Sequence, residues 1–168
     1  MLGQRGDEDF EVFFDMAWNR ALRMVSRMGL SGPDAEDVAL DAMAVVYDRW
    51  ARVRELPYRE DWLLKVAANG ALRQLKRANR TSVSGPVVAI SSEDEIAVRV
   101  SVRDGIARLP RRQREFIALR YLADMPEGQV AAVLGLNPGT VKQHAARGRA
   151  ALRAAFERGP GGSDQHVG

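Results

Sequence analysis

Cysteine is absent from this chain of 168 residues, and histidine occurs only at His144 and His166. The first absence excludes disulfides, thiolate metal sites and a cysteine nucleophile. The second leaves no histidine-based metal site. No apolar run approaches the roughly 20 residues of a membrane-spanning helix. The N-terminus, MLGQRGDEDFEVFF, lacks the basic-then-apolar order of a signal peptide. A cytoplasmic protein without membrane insertion is therefore expected. No catalytic triad, metal-ligand set or phosphate-binding loop is present, so neither an enzyme nor a cofactor is expected. Lysine is scarce beside arginine, a bias that fits a GC-rich genome and says little about chemistry.

What is there suffices for one ordinary domain or two small ones. Hydrophobic residues make up 46% of the chain and charged residues 28%, enough for real cores in a polar shell. The net charge of +3 is modest, so the position of the charges matters more than their sum.

Three helical patterns fill the first half. Phe10, Phe13, Phe14, Ala17, Trp18, Ala21, Leu22 and Val25 recur at helical spacing up to Met28. After a break at Gly29–Pro33, a second helix starts near Ser31, with Asp34 placed to complete a capping box, and runs to about Trp50. A third spans about Glu60 to Ala78, with Trp62, Leu63, Val66 and Ala67 inward. The three tryptophans, Trp18, Trp50 and Trp62, are expected as core anchors. TSVSGPVVAISS, Thr81 to Ser92, has no amphipathic pattern and reads as a linker. Ile96 to Ala107 fits a strand or a helix. Helix is preferred because a lone strand has no partner. The Gly-rich tail after Arg158 is expected to be disordered. The fold class is thus all-α: two small helical domains joined by a flexible linker.

The second domain carries the more specific signal. Leu122 closes an apolar helix, and Pro126 suits the first turn of the next. Val130, Ala131, Val133 and Leu134 form a short buried face, and Gly135 stands where a helix end needs a left-handed residue. Asn137 is a good N-cap and Pro138 a good first residue. Val141, Ala145, Gly148, Leu152 and Phe156 then make one stripe, with Lys142, Gln143, Arg147, Arg149 and Arg153 off it. This is a helix-turn-helix, which places its second helix in the DNA major groove.

Charge is sorted along the chain. Asp34, Glu36, Asp37, Asp41 and Asp48 load the second helix, and no basic residue intervenes between Ser31 and Asp48. The macrodipole accounts for the first three but not for Asp41 or Asp48. From Leu63 to Arg80 the sign reverses, with Lys65, Arg73, Lys76, Arg77 and Arg80 and no acid. Such a run suits phosphate tracking.

Four stretches in order, DAEDVALDAMAVVYDRW (34–50), DWLLKVAANGALRQLKR (61–77), LPRRQREFIALRYLADM (109–125) and VAAVLGLNPGTVKQHAARGRAAL (130–152), carry a resemblance. The chain resembles the extracytoplasmic-function (ECF) sigma factors. The resemblance implies a region-two domain at 7–80, a linker at 81–92, a region-four domain at 93–158 and a tail at 159–168. It implies a non-enzymatic subunit that binds core RNA polymerase and directs transcription initiation at selected promoters. Asp34, Glu36, Asp37 and Asp41 would dock on the polymerase clamp coiled coil, and the second domain on the flap. Asn69 would lie near an extruded base of the minus-ten element; otherwise it is a helix-interior polar residue satisfied locally. Arg73, Lys76, Arg77 and Arg80 would hold phosphates.

The recognition helix would read the minus-thirty-five element through Lys142, Gln143, His144 and Arg147, residues able to read purine edges. Thr140 and Arg149 would touch phosphate. Arg111, Arg112 and Arg114 are further phosphate candidates, or a solvated helix end. An anti-sigma partner is also implied. The chain departs from the family at Leu40-Asp41 (commonly Gln-Glu), Gln129 (Glu), Gln143-His144 (Ser-Arg) and Gly148 (Ala), which bears on clamp contact and promoter sequence. The alternative is a stand-alone helix-turn-helix regulator whose helical first half dimerises or senses a ligand.

Overall fold

The computed structural model describes residues 2–81, 105, 106 and 108–158, and every regular element among them is helical. The first unit comprises α1 (Leu2–Arg27), α2 (Gly32–Asp48), the single turn α3 (Trp50–Val53) and α4 (Arg59–Thr81). The second comprises α5 (Arg111–Ile117), a wide turn over Ala118–Leu122, α6 (Glu127–Leu134) and α7 (Pro138–Arg158). The expected linker, apart from Thr81, lies outside the described residues, as do the tail and most of the ambiguous 96–107 segment. None of the described helices is long and apolar enough to cross a membrane.

The apolar stripes read from sequence are the buried faces. Phe13, Ala17, Ala21, Met24 and Val25 of α1 pack with Val38, Ala42, Met43 and Val46 of α2 and with Leu63, Leu64, Ala67 and Ala71 of α4. Trp50 is buried, its ring centroid 5.3 Å from that of Phe10 and 5.1 Å from that of Phe13. Trp18 stacks on Phe14 at 5.3 Å, and half-buried Trp62 lies beneath the Arg49 guanidinium at 6.0 Å.

Two boundaries differ from the sequence expectation. α1 begins at Leu2, well before Phe10. Asp7 accepts a hydrogen bond from the Tyr47 hydroxyl at 3.0 Å, and Asp9 pairs with Arg54 at 2.9 Å. These tertiary contacts hold a segment whose glycines argue against helix. At the start of α2, Ser31 occupies the cap position but its side chain makes no capping hydrogen bond. Pro33, the second helical residue, removes one of the two N–H groups that a capping hydroxyl accepts from, and the other, on Asp34, is not engaged by Ser31 either.

The helix-turn-helix punctuation is as expected, with one change: Pro126 sits at the cap position of α6 rather than inside its first turn. Gly135 ends α6 at φ 64, ψ 37. Gly135 N–H donates to Ala132 O (3.3 Å) and Leu136 N–H to Ala131 O (2.9 Å), the paired bonds of a Schellman ending. Asn137 Oδ1 accepts from Thr140 N–H at 2.8 Å and starts α7. Before the motif, Ala123 N–H reaches back five residues to Ala118 O at 3.1 Å. This π-type turn widens the helix where the chain must swing into α6.

Gly148 lies on the buried seam between α7 and α5. A Cβ there would stand 3.0 Å from Ile117 Cγ1 and 3.1 Å from Cδ1. Gly148→Ala would gain about 1 kcal/mol of helix propensity. It would also overpack a buried seam at a cost of about 1–3 kcal/mol. The expected outcome is a lower melting temperature, partly restored when Ile117→Val is added; a stabilised single variant would contradict the close approach.

Candidate nucleic-acid interface

α7 is built to show one face outward. Val141, Ala145 and Gly148 are buried against α5 and α6, and this fixes the rotation of the helix. Lys142, Gln143, Arg147, Arg149 and Arg153 consequently all stand exposed. Thr140 and His144 are half-buried at the edges of that face. His144 Nδ1 is enclosed without a hydrogen-bond partner among the described residues, so Nε2 is the ring nitrogen left for an outside partner. Arg149 donates to the Tyr121 hydroxyl at 3.3 Å, which holds its guanidinium at the border of α7 and the wide turn.

α2 turns its acids to solvent. Asp34, Glu36, Asp37, Asp41 and Asp48 are exposed, and no ion pair engages them among the described residues. Leu40, 53% exposed, lies among them. This face thus combines a row of free carboxylates with an apolar side chain, the composition of a contact surface rather than of a purely solvated helix.

α4 carries the opposite charge. Arg73, Lys76 and Arg77 are exposed on its second half, and Arg80 follows on its last turn. Nearer its start, Asp61 is buried beside Arg20 at 3.5 Å. Burial pushes its carboxyl above the ordinary range, although the Arg20 guanidinium pulls it down. Lys65 and Asn69 are half-buried because α5 stands over them. Asn69 Nδ2 donates to Glu115 Oε1 at 3.2 Å. The same oxygen accepts from Arg111 Nε at 3.1 Å, while Oε2 accepts from Arg112 Nη1 at 3.1 Å. Burial lowers the Lys65 ammonium pKa, and the nearby Glu115 carboxylate partly offsets this.

The exposed candidates therefore fall into three groups, an acidic helix, a cationic helix and a helix-turn-helix, while Asn69 meets Arg111 and Arg112 around Glu115. The family model for sigma-70, region 4, matches residues 99–152. The chain is similar to the RNA polymerase sigma-E factor of Streptomyces antibioticus, with 30% identity over 129 residues, 74% of this chain and 71% of the relative. It is similar to the ECF RNA polymerase sigma factor SigM of Mycobacterium tuberculosis, at 28% identity, covering 83% of this chain and 74% of that one.

The chain belongs to the extracytoplasmic-function sigma factors.

Its fold is shared with the sigma factor RpoE from Bartonella quintana, solved in complex with the anti-sigma factor NepR. The TM-score is 0.59 at 17% identity, covering 89% of this chain and 98% of that one. In this sigma factor the region-four match contains α6, most of α7 and Glu115 with its partners Arg111 and Arg112, but not Asn69. Glu115 is hard to single out in the sequence because it is ringed by Arg111, Arg112 and Arg114 and reads as one more surface charge. The available signal was its place beside Phe116 and Ile117 on the inward side of α5, with two cations three and four residues before it. The pairing of Asn69 with a residue 46 positions away had no sequence signal at all.

Proposed function

We propose that this sigma factor binds core RNA polymerase as a non-enzymatic specificity subunit and directs initiation at promoters with two spaced elements. The observation that carries this reading is the fixed rotation of α7. The Val141–Ala145–Gly148 seam is buried, so Lys142, Gln143 and Arg147 project together, as major-groove readout requires. Residues 93–158 form the region-four-like domain that reads the upstream element. Residues 7–80 form the region-two-like domain that takes the minus-ten element. There Arg73, Lys76, Arg77 and Arg80 hold phosphates, and Asn69 reads an unpaired base with its donor and acceptor. Capture of the single strand offsets part of the cost of unstacking. Asp34, Glu36, Asp37 and Asp41 dock on the clamp coiled coil, and the second domain meets the flap. An anti-sigma factor, such as accompanies the Bartonella quintana relative, is the regulatory partner, and the site of action is the cytoplasm.

Double charge reversal tests the docking face. Asp37→Lys with Asp41→Lys is expected to weaken core-polymerase binding by about tenfold or more, or about 1.4 kcal/mol, with a flatter salt dependence. Both residues are exposed, so the melting temperature should stay within about 0.5 kcal/mol equivalent of the parent. Unchanged polymerase affinity would remove Asp37 and Asp41 from the docking role.

A further inference from the structure

The chain turns a corner between α3 and α4, and α1 holds that corner at both ends. We infer that Arg20 of α1 is a positioning residue for minus-ten recognition, fixing the shape that the corner presents to unpaired DNA. The inference rests on the reading that residues 7–80 take that element.

Arg20 reaches two successive acids at the start of α4. Its Nη1 donates to Glu60 Oε2 at 3.0 Å, and its Nη2 lies 3.5 Å from Asp61 Oδ1. A guanidinium suits this task, since its planar fork can serve two carboxylates at once. The two acids are not equivalent. Glu60 is half-buried, a partner in an ion pair of the kind that contributes little by itself. Asp61 is only 7% exposed, and Arg20 is the one cation within ion-pair distance of it among the described residues. A buried carboxylate deprived of its counter-charge is costly. Removal of Arg20 would therefore drive Asp61 toward water and carry the first turn of α4 with it.

That turn is continuous with the corner. Leu56 N–H donates to Val53 O at 3.0 Å, and Trp62 N–H donates to Tyr58 O at 2.9 Å. Leu56 and Tyr58 are half-buried against the core. At the far end, Arg54 Nη2 pairs with Asp9 Oδ2 at 2.9 Å. Asp9 and Arg20 stand about three turns apart on one face of α1, so one rigid helix sets the span between the two ends. A cleft of about 420 Å³ opens against the corner, lined by Arg20, residues 56–61 and Gln129. What the cleft admits depends on where Arg20 holds the two acids. A corner ordered in advance also receives a strand without the cost of ordering itself on binding. Arg20 thus acts on recognition through Glu60 and Asp61 and needs no contact with DNA.

The test reads initiation by core polymerase with the full-length protein. The templates are a promoter recovered by its dependence on this protein and derivatives substituted base by base across the downstream element. The parent should discriminate against the substituted templates. Arg20→Ala should lower that discrimination about tenfold, the order of one displaced hydrogen-bonding contact. Discrimination at the upstream element should stay as in the parent, because α7 is untouched. Arg20→Lys keeps a charge for Asp61 but loses the fork, and should lose only about threefold. It carries the comparison if the alanine variant fails to fold. Asp61→Asn removes the buried charge that needs a partner, so adding Arg20→Ala to it should cost far less than Arg20→Ala costs the parent. Unchanged discrimination in both Arg20 variants overturns the positioning role. An equal loss from Arg20→Ala in the two backgrounds also overturns it, because Arg20 would then act other than through Asp61. A parent indifferent to downstream substitutions would overturn the reading of residues 7–80 itself, and the inference with it.

Discussion

Lys142→Ala combined with Arg147→Ala will abolish upstream-element selectivity while leaving the protein folded. Both side chains are exposed on α7, and neither touches the buried seam that orients it. A good base-edge contact contributes about 1–3 kcal/mol of discrimination. Losing two removes about 2–6 kcal/mol, or roughly thirty-fold to twenty-thousand-fold in preference for the cognate duplex. Competition between cognate and scrambled upstream duplexes measures this directly. Arg149→Ala provides the contrast. If it touches phosphate, as the resemblance implies, it should weaken binding to all duplexes alike and reduce the salt slope by about one. Equal losses on cognate and scrambled DNA for the double variant would mean that Lys142 and Arg147 position the helix rather than read sequence.

Phe116→Ala is expected to produce the largest loss of stability. Phe116 is completely buried in α5, in the apolar cluster that includes Ile117, Leu119, Val130 and Val141. Truncating a buried phenylalanine costs about 3–5 kcal/mol, through lost transfer energy and the cavity left behind. Against a typical total of about 5–15 kcal/mol, that is a large fraction. Denaturant unfolding should show a lower midpoint at an unchanged slope. A midpoint shift below about 1 kcal/mol would mean that the α5–α7 seam repacks, and the Gly148–Ile117 close approach would then not be rigid.

The parts legible in the sequence are those where backbone chemistry and periodicity agree. Gly135, Asn137 and Pro138 name a helix end, a cap and a helix start, and each holds that place. The Val141–Ala145–Gly148 stripe foretold which residues of α7 face outward. The illegible parts depend on contacts between distant residues. α1 extends to Leu2 because Asp7 and Asp9 find Tyr47 and Arg54, and nothing local to a Gly- and acid-rich segment announces that. The wide turn at Ala118–Leu122 adds a residue to a helix whose apolar pattern continues through it, so periodicity does not reveal it. The seam between the two units joins apolar residues of one continuous core and the polar pairs Asn69–Glu115 and Arg27–Asp124, and the pairs have no hydropathy signature. Sequence alone therefore separates the units, and the structure brings them together.

Promoter-specific initiation by core RNA polymerase is the activity proposed for this chain. The direct measurement is initiation across a genomic promoter library, comparing core polymerase alone with core plus this protein. The expected result is protein-dependent initiation at sites sharing two spaced elements, with selectivity for the upstream element lost in the Lys142→Ala, Arg147→Ala variant. No protein-dependent initiation, together with a symmetric footprint of the protein alone on duplex DNA, would contradict the account and leave a stand-alone helix-turn-helix regulator in its place.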